Sequence, residues 1–85
     1  MARKRKDTLV IHRKLGQDRV WGWAHIGENK IELDERLTGY RYLLYALHEH
    51  YHLRHPEWSE TRVKKECTAT AKFLRQNGFR WVDLK

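Results

Sequence analysis

The sequence has one cysteine, one proline and no long hydrophobic run. Because the single Cys67 cannot form an internal disulfide, a reducing intracellular setting is favoured over a disulfide-linked secreted domain. No segment approaches the roughly 20 apolar residues of a transmembrane helix, and the start of the chain lacks the apolar core of a secretory signal. We therefore predict a cytoplasmic protein.

Acidic residues are few relative to basic ones, with 11 aspartates and glutamates against 18 lysines and arginines and a formal net charge of +7. Four of the positive charges form one run near the start of the chain: Arg3, Lys4, Arg5 and Lys6. Such an arm could bind nucleic-acid phosphates through a salt-sensitive attraction that does not depend on sequence, or it could be a solubilising tail. We assign residues 1–7 to a basic flexible arm and residues 8–85 to one domain.

A domain of this size buries only a modest core, so a bound metal would contribute to its stability, and there is no room for a separate substrate domain. Its large aromatic residues are expected to fill that core: Trp21, Trp23, Trp58, Phe73, Phe79 and Trp81.

The first half of the chain predicts a small sheet. Segments rich in β-branched and aromatic residues lie at 8–14, 19–26 and 30–34, and glycine-containing turns at 16–18 and 27–29 separate them. We predict an antiparallel sheet of about three strands.

The second half predicts two helices, the first of which begins at Thr38-Gly39. Apolar residues recur along it at helical spacing and are expected to form its buried stripe: Tyr40, Leu43, Leu44, Leu47 and Tyr51. Pro56 is expected to end this helix near Arg54 or His55, because the residue before a proline is steered away from helical geometry.

Ser59 is suited to cap a second helix, and Asn77-Gly78 is suited to end it. The face that this helix turns toward the first is expected to contain Glu60, Val63, Cys67, Thr70 and Leu74. The predicted fold class is therefore α+β, with a small antiparallel sheet followed by a two-helix hairpin. Residues 79–84 fit either a packed tail or a short fourth strand.

The first helix contains the pattern His-Glu-x-x-His at residues 48–52. His48 and His52 stand one helical turn apart on the same face, with roughly 5–6 Å between their Cβ atoms, so both imidazoles can bind one cation. Zn²⁺ suits such ligands, and Glu49, turned about 100° around the helix, can act as a general base on water. On a helical wheel the two histidines lie at the edge of the apolar stripe, whereas Glu49 and His50 lie further toward solvent.

A catalytic zinc site usually has a third protein ligand, and the second helix must supply it. Folding the helices against each other brings Glu60 and Glu66 to about one turn on either side of the histidines, so both glutamates are candidates for the third ligand. His55 is too close to His52 along the chain. Cys67 is interpreted as a small buried hydrophobic residue rather than a thiolate ligand.

With this motif the chain resembles the zincin metallopeptidases, in particular the small phage- and bacterium-encoded zincin-like proteins of the glutamate-ligand branch. The resemblance covers residues 31–34, 42–52, 56–63 and 77–80. It implies that His48 and His52 are zinc ligands, that Glu49 is the general base, and that Glu60 is favoured over Glu66 as third ligand. It also implies that the strand at 30–33 is the edge along which an extended peptide would lie.

We therefore predict a zinc-dependent metallohydrolase, most simply a small metallopeptidase that acts on a protein or peptide through water activated by Glu49. Tyr51 or Tyr45 could assist the oxyanion. The alternative is a non-catalytic, zinc-stabilised binding module, with nucleic acid as a partner through the basic arm.

Overall fold

The computed structural model describes residues 7–16 and 20–80. The described chain contains three strands and two helices: β1 (Leu9–Arg13), β2 (Gly22–His25), β3 (Lys30–Asp34), α1 (Gly39–Arg54) and α2 (Glu60–Gln76). The α+β prediction is thus confirmed. Neither helix is long and apolar enough to cross a membrane. The predictions made for residues 1–6 and for the end of the chain beyond residue 80 lie outside the described residues.

The sheet is mixed, so the prediction of an antiparallel sheet is wrong. Its strand order is β1-β3-β2, in which β1 pairs parallel with β3 and β2 pairs antiparallel with β3. Alternation and turn residues identify a segment as a strand, but they do not determine which neighbour it pairs with. As a result β3 is central and paired on both sides, and β2 forms one edge of the sheet.

Helix α1 begins where Thr38-Gly39 was expected. Thr38 takes the N-cap position without a side-chain hydrogen bond, and Gly39 has a φ of 59°, in the left-handed region that favours glycine. The helix ends at Arg54, two residues before Pro56, as predicted.

One face of the sheet carries the core. Ile31, Leu33 and Leu37 form a buried cluster, against which other residues pack: Trp21, Tyr42, Tyr45, Ala46 and Leu53. The residues of α1 predicted as its buried stripe are each only partly buried. Leucines and tyrosines lie all around α1, which packs against both the sheet and α2. The periodicity of its apolar residues therefore did not determine which side of the helix faces the sheet.

Helix α2 has the predicted start, since the Ser59 hydroxyl accepts a hydrogen bond from the Arg62 N–H at 3.1 Å. Its buried residues recur every fourth position, at Val63, Cys67 and Ala71. Not every large aromatic residue fills the core as expected, because three of them are about half exposed: Trp23 (48%), Phe73 (59%) and Phe79 (58%).

A buried carboxylate, Asp34, fixes the turn that leads from β3 into α1. Its Oδ2 accepts the Leu15 N–H at 3.0 Å, and its Oδ1 accepts the Arg36 N–H at 2.9 Å. The Arg36 guanidinium also donates to both oxygens, at 2.9 and 3.0 Å, and holds the pKa of Asp34 well below its usual range. This side chain therefore helps to fix the turn, together with backbone hydrogen bonds from Glu35 to Arg13 and from Leu37 to Asp34.

Candidate metal centre

Two histidines and a glutamate meet where α1 faces the start of α2. The His48 Nε2 lies 2.6 Å from Oε1 of Glu60, and the His52 Nε2 lies 3.1 Å from Oε2 of the same carboxylate. The two Nε2 atoms are 3.2 Å apart. In the part of the chain that the structure describes, these residues are the group of three whose donor atoms converge closely enough to hold a metal ion. We call them the triad.

The spacing of these donor atoms is close to that around a tetrahedral divalent ion, although the 2.6 Å contact between His48 and Glu60 is shorter. Bonds of about 2.0–2.1 Å to zinc place neighbouring ligand atoms roughly 3.3 Å apart in a tetrahedron. Two imidazole nitrogens and one carboxylate form a donor set that suits zinc and related transition ions. Three protein donors also leave one tetrahedral position open. The triad could therefore bind a metal.

A short connection brings Glu60 back to the end of α1. Pro56 cannot continue the helix, and the turn is closed by a hydrogen bond from the Trp58 N–H to the His55 carbonyl at 3.0 Å. The indole of Trp58 stacks on the His55 ring, with centroids 3.8 Å apart and planes within 5°. Ser59 then starts α2, so that Glu60 is its first residue, next to His52.

Glu49 is the buried residue of α1, 8% exposed, so the expectation that it lies toward solvent is wrong. Strand β2 covers it: a Cβ added at Gly22 would lie 2.8 Å from the Glu49 Cγ. Burial, with a smaller contribution from the negative charge of Glu60, raises the pKa of Glu49 to about 7. The helical wheel failed here because the side of α1 that faces the sheet includes this carboxylate.

The second ring nitrogen of His48 faces Cys67. The Cys67 Sγ lies 3.8 Å from the His48 Nδ1 and 3.4 Å from the Lys64 carbonyl, to which the thiol donates. Burial lowers the pKa of His48, which favours the neutral imidazole that binds metals, and burial raises the pKa of the Cys67 thiol. Cys67 is buried as a neutral thiol and lies beside the triad without belonging to it.

The triad and Glu49 line a cleft of about 630 Å³ between α1 and β2. Its other lining residues are Val20, Trp21, Gly22, Trp23, Ala24, Ile26 and Tyr45. Since successive residues of a strand point to opposite faces, a wall that contains both Trp23 and Ala24 follows the outer edge of β2, which pairs with no other strand among residues 7–16 and 20–80. The predicted peptide edge at residues 30–33 is therefore wrong, because those residues belong to the central strand.

The remaining candidate residues lie apart from the triad. Glu66 is not among the converging donors. The Tyr51 hydroxyl contacts Thr70 of α2 at 2.6 Å, whereas Tyr45 lines the cleft. His50 lines a separate, mainly apolar groove of about 260 Å³ between β1 and α1. Arg3 to Lys6 lie outside the described residues, so their binding of nucleic acid stays a prediction.

The role of Gly22 and of the cleft wall to which it belongs was not predicted from the sequence. A signal was present, because a glycine between two tryptophans inside a predicted strand often marks a close approach by another group. Comparison of the chain with protein-family models, with curated proteins and with solved structures gave no match. The assignment of this group as a candidate metal site therefore rests on the positions and chemistry of its donor atoms.

Proposed function

We propose that this protein is a zinc-dependent metallohydrolase, and more specifically a small metallopeptidase. The observation that carries the proposal is that His48, His52 and Glu60 converge beside the buried carboxyl group of Glu49, in a cleft bordered by an edge strand. Zinc, when bound by the triad, would supply the Lewis acidity that lowers the pKa of water and polarises a carbonyl group.

Glu49 would transfer the proton in this reaction. It would accept a proton from water and pass it to the leaving amine, a role for which a pKa close to the working pH is most effective. The raised pKa of about 7 describes the carboxyl group without a neighbouring cation, and a divalent ion in the triad would lower it. Glu49 would then be ionised at neutral pH and ready to act as a base.

The cleft favours an extended peptide as the substrate. In the part of the chain that the structure describes, the outer edge of β2 has no strand partner, so a peptide can add to it through main-chain hydrogen bonds, which supply affinity for any sequence. The wall contributed by Val20, Trp21, Ala24 and Ile26 is apolar and would accept apolar side chains near the bond to be cleaved.

Variants of neighbouring residues on α1 test the proposal. We expect Glu49→Gln to retain zinc and lose peptide hydrolysis, and His48→Ala to lose both, because only the histidine would bind the metal. His50→Ala is the matched control, since this histidine lines the groove on the other side of α1 and should retain both. Zinc content by elemental analysis and peptide turnover are measured on the same preparations. Unchanged hydrolysis in Glu49→Gln would rule out the assigned role.

A zinc-stabilised binding module is the second candidate, and the position of Glu60 favours it. A metal held by the triad would link the last turns of α1 to the first residue of α2, in a chain whose core is small. In that case EDTA would lower the unfolding temperature of a protein that shows no hydrolysis beforehand. A metallopeptidase would instead lose a measured activity when zinc is removed.

A further inference from the structure

Arg41 lies at one end of the cleft, in the first turn of α1. Its Cζ is 4.6 Å from the centroid of the Trp21 ring and 6.0 Å from that of the Tyr45 ring, and both rings line the cleft. Arginine stacks on aromatic faces while its N–H groups stay free to donate sideways. The guanidinium is therefore held against the cleft wall although Arg41 is exposed.

The guanidinium of Arg41 differs from that of the neighbouring Arg36 in its charge partners. A second guanidinium, that of Arg36, also lies 4.6 Å from the Trp21 ring, but Arg36 is paired with the buried Asp34. Among the residues that the structure describes, Arg41 has no ion-pair partner. The carboxylates that line the cleft are Glu60, which belongs to the triad, and Glu49, which lies beside it. The cleft is therefore positive at the end near Arg41 and carries its acidic groups at the other end.

The direction of β2 determines which part of a bound peptide would reach Arg41. Strand β2 and helix α1 run the same way along the cleft, because both are antiparallel to β3. Trp21, just before β2, accordingly lies against Arg41 in the first turn of α1, whereas Gly22 lies against Glu49. A peptide paired antiparallel to β2, the slightly more stable arrangement, would point its carboxyl-terminal end toward Arg41. Arg41 and His48 are seven positions apart, which corresponds to roughly 10 Å along the helix, and about three residues of extended peptide span the same distance.

We propose that Arg41 is a specificity-determining residue that binds a carboxylate of the substrate, about three residues after the bond that is cleaved. This inference depends on the proposed metallopeptidase function. The carboxylate is either the side chain of an aspartate or glutamate or the terminal carboxylate of a peptide that ends there. A guanidinium suits both, since it stays charged and can donate two parallel hydrogen bonds to one carboxylate.

Peptides that carry a hydroxamate at their amino end test this without requiring hydrolysis, because the hydroxamate binds the metal in place of the scissile peptide group. One compound continues as Leu-Ala-Glu-amide and its partner as Leu-Ala-Gln-amide. A third, Leu-Ala-Ala with a free terminal carboxylate, is compared with its amide. Dissociation constants are measured with zinc-loaded protein at low and high salt, and the zinc content of each preparation is determined separately.

We expect the wild type to bind the glutamate compound, the free-carboxylate compound or both about tenfold more tightly than the neutral partner, with a smaller ratio at high salt. Arg41→Gln should bring this ratio close to one. Arg41→Glu should bind a compound with lysine in place of the glutamate more tightly than the glutamate compound. Arg75→Gln is the matched control, because it removes an arginine stacked on Tyr40 outside the cleft and should retain the ratio.

Equal binding of charged and neutral compounds by the wild type, or a ratio that persists in Arg41→Gln, would overturn the inference. A zinc-loaded protein that discriminates as expected but hydrolyses no peptide would contradict only the metallopeptidase proposal. A protein that retains no zinc and binds none of the hydroxamates would overturn both.

Discussion

Substitution of Gly22 by alanine tests the contact between β2 and Glu49. The added Cβ would lie 2.8 Å from the Glu49 Cγ, 3.1 Å from its Cδ and 2.9 Å from its Oε2. Carbon atoms in van der Waals contact are normally about 3.5–4.0 Å apart, so the glutamate or the strand must move. Gly22 is not among the residues with positive φ, and the substitution therefore introduces no backbone strain of its own.

The expected loss of stability follows from these distances. Forcing a methyl group into a packed site destabilises by about 1–3 kcal/mol, and replacing a strand glycine by alanine returns roughly 0.5–1 kcal/mol. The free energy of unfolding should fall by about 1–2 kcal/mol, which lowers Tm by roughly 4–16 °C in a domain of this size. Because the easiest movement turns the Glu49 carboxyl group toward the cleft, turnover should decrease more than zinc content.

A double-mutant cycle with Glu49→Ala isolates this contact. With the glutamate shortened, the new methyl group has space, and Gly22→Ala should be neutral or stabilise by up to about 1 kcal/mol. The assay is unfolding in urea of the wild type, both single variants and the double variant, with zinc and with EDTA. If Gly22→Ala were equally destabilising with and without the glutamate, the contact would not exist.

Two further substitutions address the third ligand and the turn before α1. Glu60→Gln should weaken zinc binding by more than about tenfold, because only Glu60 lies against both histidines, whereas the charge-matched Glu66→Gln should not. Zinc affinity is measured by competition titration, and equal affinity of the two variants would refute this. Arg36 lowers the pKa of Asp34 in the folded state. The ionised Asp34 carboxylate therefore contributes its full stabilisation above the unfolded-state pKa of about 4, and this stabilisation is lost as the pH falls below that value. Asp34→Asn should therefore be less stable at pH 7 by about 2–3 kcal/mol and lose less stability than the wild type between pH 5 and 2, as measured by urea unfolding.

Local signals in the sequence were sufficient for the helices. Pro56 and Ser59 fix where α1 ends and α2 begins, and the Asn77-Gly78 pair marks the end of α2. The i and i+4 spacing of two histidines is also a local property, so the half of the triad on α1 could be predicted directly. A short connection then limited the third donor to a few residues near the start of α2.

Features that depend on distant parts of the chain could not be predicted in the same way. The parallel pairing of β1 with β3 and the side of α1 that packs on the sheet are decided by packing over the whole domain. Glu49 is buried because it lies on the side of α1 that packs on the sheet, where β2 covers it. A single sequence shows a carboxylate next to a histidine, but it does not show which strand excludes water from it.

The three donors of the triad lie within one stretch of 13 residues, His48 to Glu60, whereas the environment of Glu49 is supplied by a strand more than 20 positions earlier. The donors of the candidate metal site and the surroundings that raise the pKa of the neighbouring acid are therefore encoded in different parts of the gene. A protein engineer could alter the reactivity of the carboxyl group through β2 alone and leave the affinity for the ion almost untouched. The helical hairpin, in turn, could be grafted onto another scaffold as a candidate metal-binding element without the environment of Glu49.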